Sequence, residues 1–115
     1  MNIGLLGTKG EEMTARFLHK NGYTVLKRNY QCRYGEIDII AEKDGIICFA
    51  EVKTRSEGQH FSPAEAVDKT KEENIRNAAS AYISRCKITS DIRFDIIEVL
   101  LDDKAYKIRH IRNAF

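Results

Sequence analysis

Residues Ile46-Ile47-Cys48-Phe49-Ala50 form an unbroken apolar run that passes directly into Glu51-Val52-Lys53-Thr54-Arg55. A run this short, rich in β-branched and aromatic residues, reads as a strand. Its apolar character predicts burial on both faces for much of its length. Upstream, Gly35-Glu36-Ile37-Asp38-Ile39-Ile40-Ala41 reads as a second strand, with a break at Glu42 to Gly45. The Lys43-Asp44-Gly45 turn suits a tight hairpin, because glycine accepts positive φ without steric cost.

Alternation puts Glu51 and Lys53 on one face of their strand. Asp38 lies on the neighbouring strand, with Ile37 and Ile39 expected on the opposite face. Closing the hairpin at Lys43 to Gly45 brings Asp38 opposite Glu51. Two carboxylates about 4 Å apart repel by about 4 kcal/mol at an effective dielectric near 20. A divalent cation offsets that repulsion, and hard oxygen donors suit Mg²⁺ or Mn²⁺. Alternation alone equally allows Glu51 and Lys53 to be a solvated strand end with Asp38 as a cross-strand partner.

The order Gly35-Glu36-Ile37-Asp38 followed by Glu51-Val52-Lys53-Thr54-Arg55 resembles the PD-(D/E)XK nuclease signature, an Asp ending one strand and a Glu-x-Lys on the next. The chain resembles the YraN-type bacterial family, which is similar to archaeal Holliday-junction resolvases. The likeness extends over Gly10-Glu11, Gly22-Tyr23, Arg28-Asn29, Ser62-Pro63, Ala66-Val67, Lys71, Arg93-Phe94-Asp95 and Asn113-Ala114-Phe115. The resemblance implies a restriction-endonuclease-like fold and a metal-dependent endonuclease acting on DNA, branched or structured. It implies Asp38, Glu51 and Lys53 as catalytic residues, with Asp38, Glu51, the Val52 main-chain carbonyl and Glu11 around Mg²⁺ or Mn²⁺. Lys53 would orient or deprotonate the attacking water, Glu36 would support the ligands and Arg55 would contact phosphate. Lys71 falls where the family carries a basic residue, although Glu72-Glu73-Asn74 depart from the more polar or basic character expected there. Analogy with resolvases implies a homodimer.

A chain of 115 residues with 43% hydrophobic residues supports one domain, residues 1–115, with a real core. No apolar run approaches the roughly 18 residues of a membrane span, and Met1 to Gly10 lacks a signal-peptide pattern, so a cytoplasmic location is expected. The net charge of +2 permits nucleic-acid binding without requiring it. Cys32, Cys48 and Cys86 match no zinc spacing. Cys48 reads as a core residue, with a catalytic thiol as the remote alternative.

Met1 to Gly7 reads as a fraying leader. Thr8 is the expected N-cap of a helix running to about Lys20, with Glu11 in capping-box position and Met13, Phe17 and Leu18 toward the core. Glu11 therefore has two readings, a capping residue or a further carboxylate at the site. Asn21-Gly22 ends the helix. Tyr23 to Tyr30 is the next strand, with Tyr23, Val25 and Leu26 contributing to burial. Lys27, Arg28 and Arg33, interleaved with Tyr30 and Tyr34, form a mixture that can neutralise phosphates and stack on unpaired bases, or a strand end with solvated arginines.

After the Glu-x-Lys strand, Ser56 to Phe61 is a polar loop placed to approach a substrate, with His60 read as solvated. Ser62, Pro63 and Glu65 start a second helix whose spacing continues through Ala66, Val67, Ile75, Ala78, Ala79, Tyr82 and Ile83. The polar segment Asp68 to Asn74 leaves open whether this is one helix or two. Asp91 to Leu101 is a nearly continuous apolar strand, Asp102-Asp103-Lys104 a turn, and Ala105 to Ile111 a last strand. On that strand Lys107 and Arg109, with Arg112 just beyond, either extend a basic surface or, the favoured reading, are charges that prevent edge pairing.

The order helix, three strands, helix, two strands predicts an α/β domain with a central mixed β-sheet flanked by helices. The leading functional reading is the endonuclease, with Arg28, Arg33, Tyr34, Arg55 and Lys71 contacting nucleic acid. The alternative is a non-catalytic nucleic-acid-binding or accessory protein that retains the fold. A third is an interaction protein whose acidic edge is polar surface only.

Overall fold

The computed structural model describes residues 3–55, 68–101 and 105–115, with side chains from Lys9 onward. The expected loop at Ser56 to Phe61, the Ser62-Pro63 helix start and the Asp102 to Lys104 turn lie outside the described residues. The elements are α1 (Ile3–Lys20), β1 (Thr24–Cys32), β2 (Gly35–Lys43), β3 (Ile46–Arg55), α2 (Lys69–Cys86), β4 (Asp91–Leu101) and β5 (Tyr106–Ile111). They build one five-stranded sheet in the order β1-β2-β3-β4-β5. β3 and β4 are parallel and the other neighbours antiparallel. A parallel pair needs a long crossover, and α2 lies on it.

The apolar strand β3 occupies the centre, and Ile47, Cys48, Phe49 and Ala50 are all buried. Its odd-numbered residues Ile47 and Phe49 pack with Ile40, Phe94 and Ile96 under Ile75, Ala78, Ala79 and Tyr82 of α2. Its even-numbered residues Cys48 and Ala50 pack with Ile39, Ala41, Ile97 and Val99 under Leu18 of α1. One helix therefore covers each face. Each large side chain so buried contributes about 1.5–3 kcal/mol. Gly10 sets the approach of α1, since a Cβ there would lie 1.9 Å from Thr54 Oγ1 on β3.

Several expectations are corrected. α1 begins at Ile3, so Thr8 lies inside the helix rather than at its N-cap position. Gly4 and Gly7 each cost about 1 kcal/mol relative to alanine, a preference too weak to end the helix here. Glu11 is thereby a mid-helix residue, and the capping-box reading falls. β1 runs on to Cys32, and Leu26 is 36% exposed because the register shifts between Val25 and Lys27. A bulge inserts one residue and turns it out of the pleat. β2 continues to Lys43, and the turn is Asp44-Gly45, with φ of 53° and 76°. Ile37 and Ile39 do not share a face, because Ile37 joins the α2 core and Ile39 the α1 core. Alternation breaks at Asp38, where the β1 residue flanked by the pairs Arg28↔Ile39 and Tyr30↔Ile37 is Asn29, with φ of 53°.

α2 starts at Lys69, capped by Asp68, whose side chain accepts from the Lys71 N–H, so the break lies at Asp68. Arg109 does more than protect an edge, since its Nη2 donates to Oε1 of buried Glu98 at 2.7 Å.

On the α1 face, fully buried Asp95 fastens the end of the chain. Its carboxylate accepts from Arg93 Nε and Nη2 at 2.8–3.1 Å, sits 2.7 Å from His110 Nε2 and accepts from the Asn113 N–H at 3.1 Å. Arg93 Nη2 also donates to the Tyr23 hydroxyl at 2.9 Å. Beyond it, the Ala114 N–H donates to the Phe94 carbonyl at 2.8 Å, and the Phe115 ring packs on Phe94 at 5.4 Å. Burial alone would raise the Asp95 carboxyl, but the bonds from His110, Arg93 and Asn113 outweigh it and hold the group below its ordinary value. A depressed carboxyl stabilises the fold above its unfolded value, here about 3.8, and loses that contribution as pH falls through the lower folded value. Asp95→Asn is expected to cost about 3 kcal/mol at pH 7, because it leaves the half-buried Arg93 without its counter-charge. Urea denaturation across pH should show the gap from wild type narrowing in acid, and equal stability at pH 7 would contradict this account.

Candidate active site

The site forms where β2 parts from β3. Their pairing ends at Ile39↔Ala50, so Asp38 falls beside Glu51 but outside the ladder. Asp38 Oδ2 accepts instead from the Val52 N–H at 2.8 Å. A strand residue directs its N–H and C=O to the same side, so the Val52 carbonyl faces the same gap.

Glu51 points to the α2 face and is 6% exposed. Its Oε1 is ion-paired with Lys71 Nζ, from the first turn of α2. Its Oε2 has no hydrogen-bond partner among the described residues. Asp38, Glu51, Glu36, Lys71 and Asn74 line a cleft of about 180 Å³. Glu11 of α1 is half-buried and lies close enough to act on Asp38.

Burial pushes the Asp38 carboxyl up to about 6, with the Val52 N–H pulling the other way and the charges of Glu11, Glu51 and Glu36 adding to the rise. Burial works against the charge of Lys71, but its hydrogen bond to Glu51 and the charges of Glu51, Asp38 and Asp68 overcome this and raise the ammonium. Among the described residues the one ammonium paired with these four carboxylates is that of Lys71, and Glu51, whose buried Oε2 has no partner among them, lines the cleft. This donor set fits a hard divalent cation. Among the described residues no three carboxylate, imidazole or thiolate groups close on one point. A cation here would take Asp38, Glu51 and the Val52 carbonyl and keep positions for water and phosphate, the usual arrangement for Mg²⁺.

Lys53 follows Glu51 on the same face, half-buried, and makes no ion pair among the described residues. Arg55 closes β3 on that face. Arg33 and Tyr34 form the β1–β2 turn next to the cleft; Arg33 lies 4.8 Å from the Tyr34 ring centroid and donates to its hydroxyl at 2.6 Å. Arg28 lies elsewhere, in an open groove between α1 and β1 with Arg16, His19 and Lys27. Cys48 is no nucleophile, since burial, with the nearby Asp95 charge, pushes its thiol up to about 12.

Sequence reasoning passed over Glu98. It is 2% exposed, and the parallel register sets it beside Lys53. Its signal was a charged residue inside the apolar strand Phe94 to Leu101, and Asp95 carried the same signal.

The elevated Asp38 carboxyl carries a stability cost. The folded chain holds this proton more tightly than the unfolded one, so stability falls as pH rises from about 3.8 to about 6 and stays lowered above that. At 1.36 kcal/mol per pKa unit, Asp38→Asn is expected to stabilise the chain by about 1–3 kcal/mol at pH 7 and by nothing below pH 4. Thermal or urea denaturation of the variant at both pH values checks this, and a variant less stable than wild type at pH 7 would contradict it.

Residues 10–99 match the model described as "Uncharacterised protein family UPF0102". A UPF0102 protein of Syntrophomonas wolfei is 46% identical over 111 residues, 96% of each chain. One from Alkaliphilus oremlandii is 45% identical over 113 residues, covering 96% of this chain and 97% of that one. One from Dictyoglomus thermophilum is 44% identical over 119 residues, covering both chains fully. With a family match over most of its length and relatives this similar end to end, the chain belongs to the UPF0102 family, the YraN-type family whose motifs it carries.

Proposed function

We propose that this chain is a restriction-endonuclease-like, divalent-cation-dependent nuclease that hydrolyses DNA phosphodiester bonds, with branched or structured DNA as its substrate. The observation that carries the reading is the Asp38–Glu51 pair at the parting of β2 and β3, with Lys53 next along the same face. Mg²⁺ or Mn²⁺, when bound, supplies a lower pKa for water and positive charge against the phosphoryl oxygens.

The chain's own groups do the rest. Asp38, Glu51 and the Val52 carbonyl hold the cation, and Glu11 adds negative charge from α1. Lys53 orients the attacking water and stabilises charge developing on the phosphate. Arg55 contacts phosphate at the strand end, and Glu36 supports the ligands from the cleft rim. The Arg33–Tyr34 turn offers a planar surface for an unpaired base. Arg28, in its separate groove, contacts the backbone further from the scissile bond.

A second reading draws on the Lys71–Glu51 ion pair, which neutralises Glu51 from within the chain. It makes the protein a non-catalytic nucleic-acid-binding or accessory protein. The two readings separate in cleavage of labelled linear, single-stranded, flap and four-way-junction DNA in Mg²⁺ and Mn²⁺. Wild type is expected to cut, with Glu51→Gln and Lys53→Ala each at least about 100-fold slower. Undiminished cleavage by either variant would overturn the site assignment. Salt-sensitive binding without cleavage would establish the accessory role.

A further inference from the structure

We propose that Lys71 is an exchangeable counter-ion, pairing with Glu51 until a divalent cation takes that carboxylate and then turning its ammonium to a phosphate of the nucleic acid. The inference rests on Asp38 and Glu51 being the cation ligands. It adds that the cation and the phosphate bind cooperatively through one side chain.

The two partners are held very differently. The Glu51 side chain is 7% exposed and the Lys71 side chain 56%. The carboxylate is fixed in the sheet, whereas the lysine is a long arm on a fixed base. That base is set by the Lys71 N–H, which donates to Oδ1 of the helix cap Asp68 at 3.1 Å. Only the side chain has to move.

Glu51 spends one oxygen on Lys71, while Oε2 has no partner among the described residues. A buried carboxylate requires a counter-charge, and either cation can provide it. Both at once is unfavourable, because a dication repels an ammonium on the same carboxylate twice as strongly as a monovalent ion would. A half-exposed ammonium regains water on leaving, so it is the partner that yields. Lys71 also lines the cleft with Asp38 and Glu51, so the displaced arm remains beside the phosphate's position. The linkage is reciprocal: a phosphate that draws Lys71 away from Glu51 strengthens cation binding, and the cation strengthens phosphate binding.

Calorimetric titration of the full chain with Mn²⁺ tests the exchange. Lys71→Met is expected to bind Mn²⁺ about tenfold more tightly than wild type. Lys69→Met, which removes the same charge from an exposed position on the same helix, is expected to stay within about twofold. Glu51→Gln should lose binding. Lys71→Met binding no tighter than wild type, or matched by Lys69→Met, would overturn the exchange and leave the cation site standing. No binding by wild type, or undiminished binding by Glu51→Gln, would overturn both.

A second measurement needs no variant. In ¹⁵N-labelled wild type, Mg²⁺ should move the Lys71 ammonium signal toward those of exposed lysines as the Val52 amide shifts. A Val52 shift with an unmoved Lys71 signal would contradict the exchange.

Discussion

The structure depends on a strand that must be dry on both faces for half its length and charged for the rest. Burial of Ile47 and Phe49 on one side and of Cys48 and Ala50 on the other requires a helix on each face. Those helices bring their own side chains to the point where the strand turns polar. Gly10 lets α1 approach Thr54, which sets Glu11 near Asp38. The capped start of α2 sets Lys71 on Glu51. The site is the place where the apolar programme of β3 stops while the covering layers continue.

β2 is equally necessary. Had it stayed in register with β3, Asp38 would have been one more residue of a ladder and the Val52 N–H would have been paired by backbone. Instead the pairing ends at Ile39↔Ala50, and a side-chain carboxylate takes that N–H. The irregularity begins one strand further out, at Asn29, whose positive φ lies opposite Asp38. Local departure from regular sheet geometry of this kind is often found at functional sites. Its consequence here is electrostatic: the burial of Asp38 raises its carboxyl, and the charges of Glu11, Glu51 and Glu36 add to the rise.

Much of this was legible in the residues. The strands were legible in short apolar runs set off by turn signals, the burial of Ile47 to Ala50 on both faces in the unbroken apolar character of their run, and the closeness of Asp38 and Glu51 in closing the hairpin at Lys43 to Gly45. What escaped were effects of one segment on a distant one. Period-two reasoning put Ile37 and Ile39 on one face because nothing in β2 itself announces a break imposed by Asn29. The α1 start was misplaced because Gly4 and Gly7 were weighed as helix breakers, although α1 runs through both. Arg109 looked like edge protection because its partner, Glu98, was hidden in an apolar run. The closing Asn113-Ala114-Phe115, conspicuous only as a motif, has its reason in the bonds to Asp95 and Phe94.

The central claim is that the Asp38–Glu51 edge is held in a form that a divalent cation relieves. The most direct measurement is a ¹³C carboxyl NMR titration of Asp38 with and without saturating Mg²⁺. The account predicts a midpoint near 6 without the cation, falling by about 2 units or more when it is present. A midpoint at the ordinary value of about 3.8, or one near 6 that Mg²⁺ leaves unmoved, would contradict it.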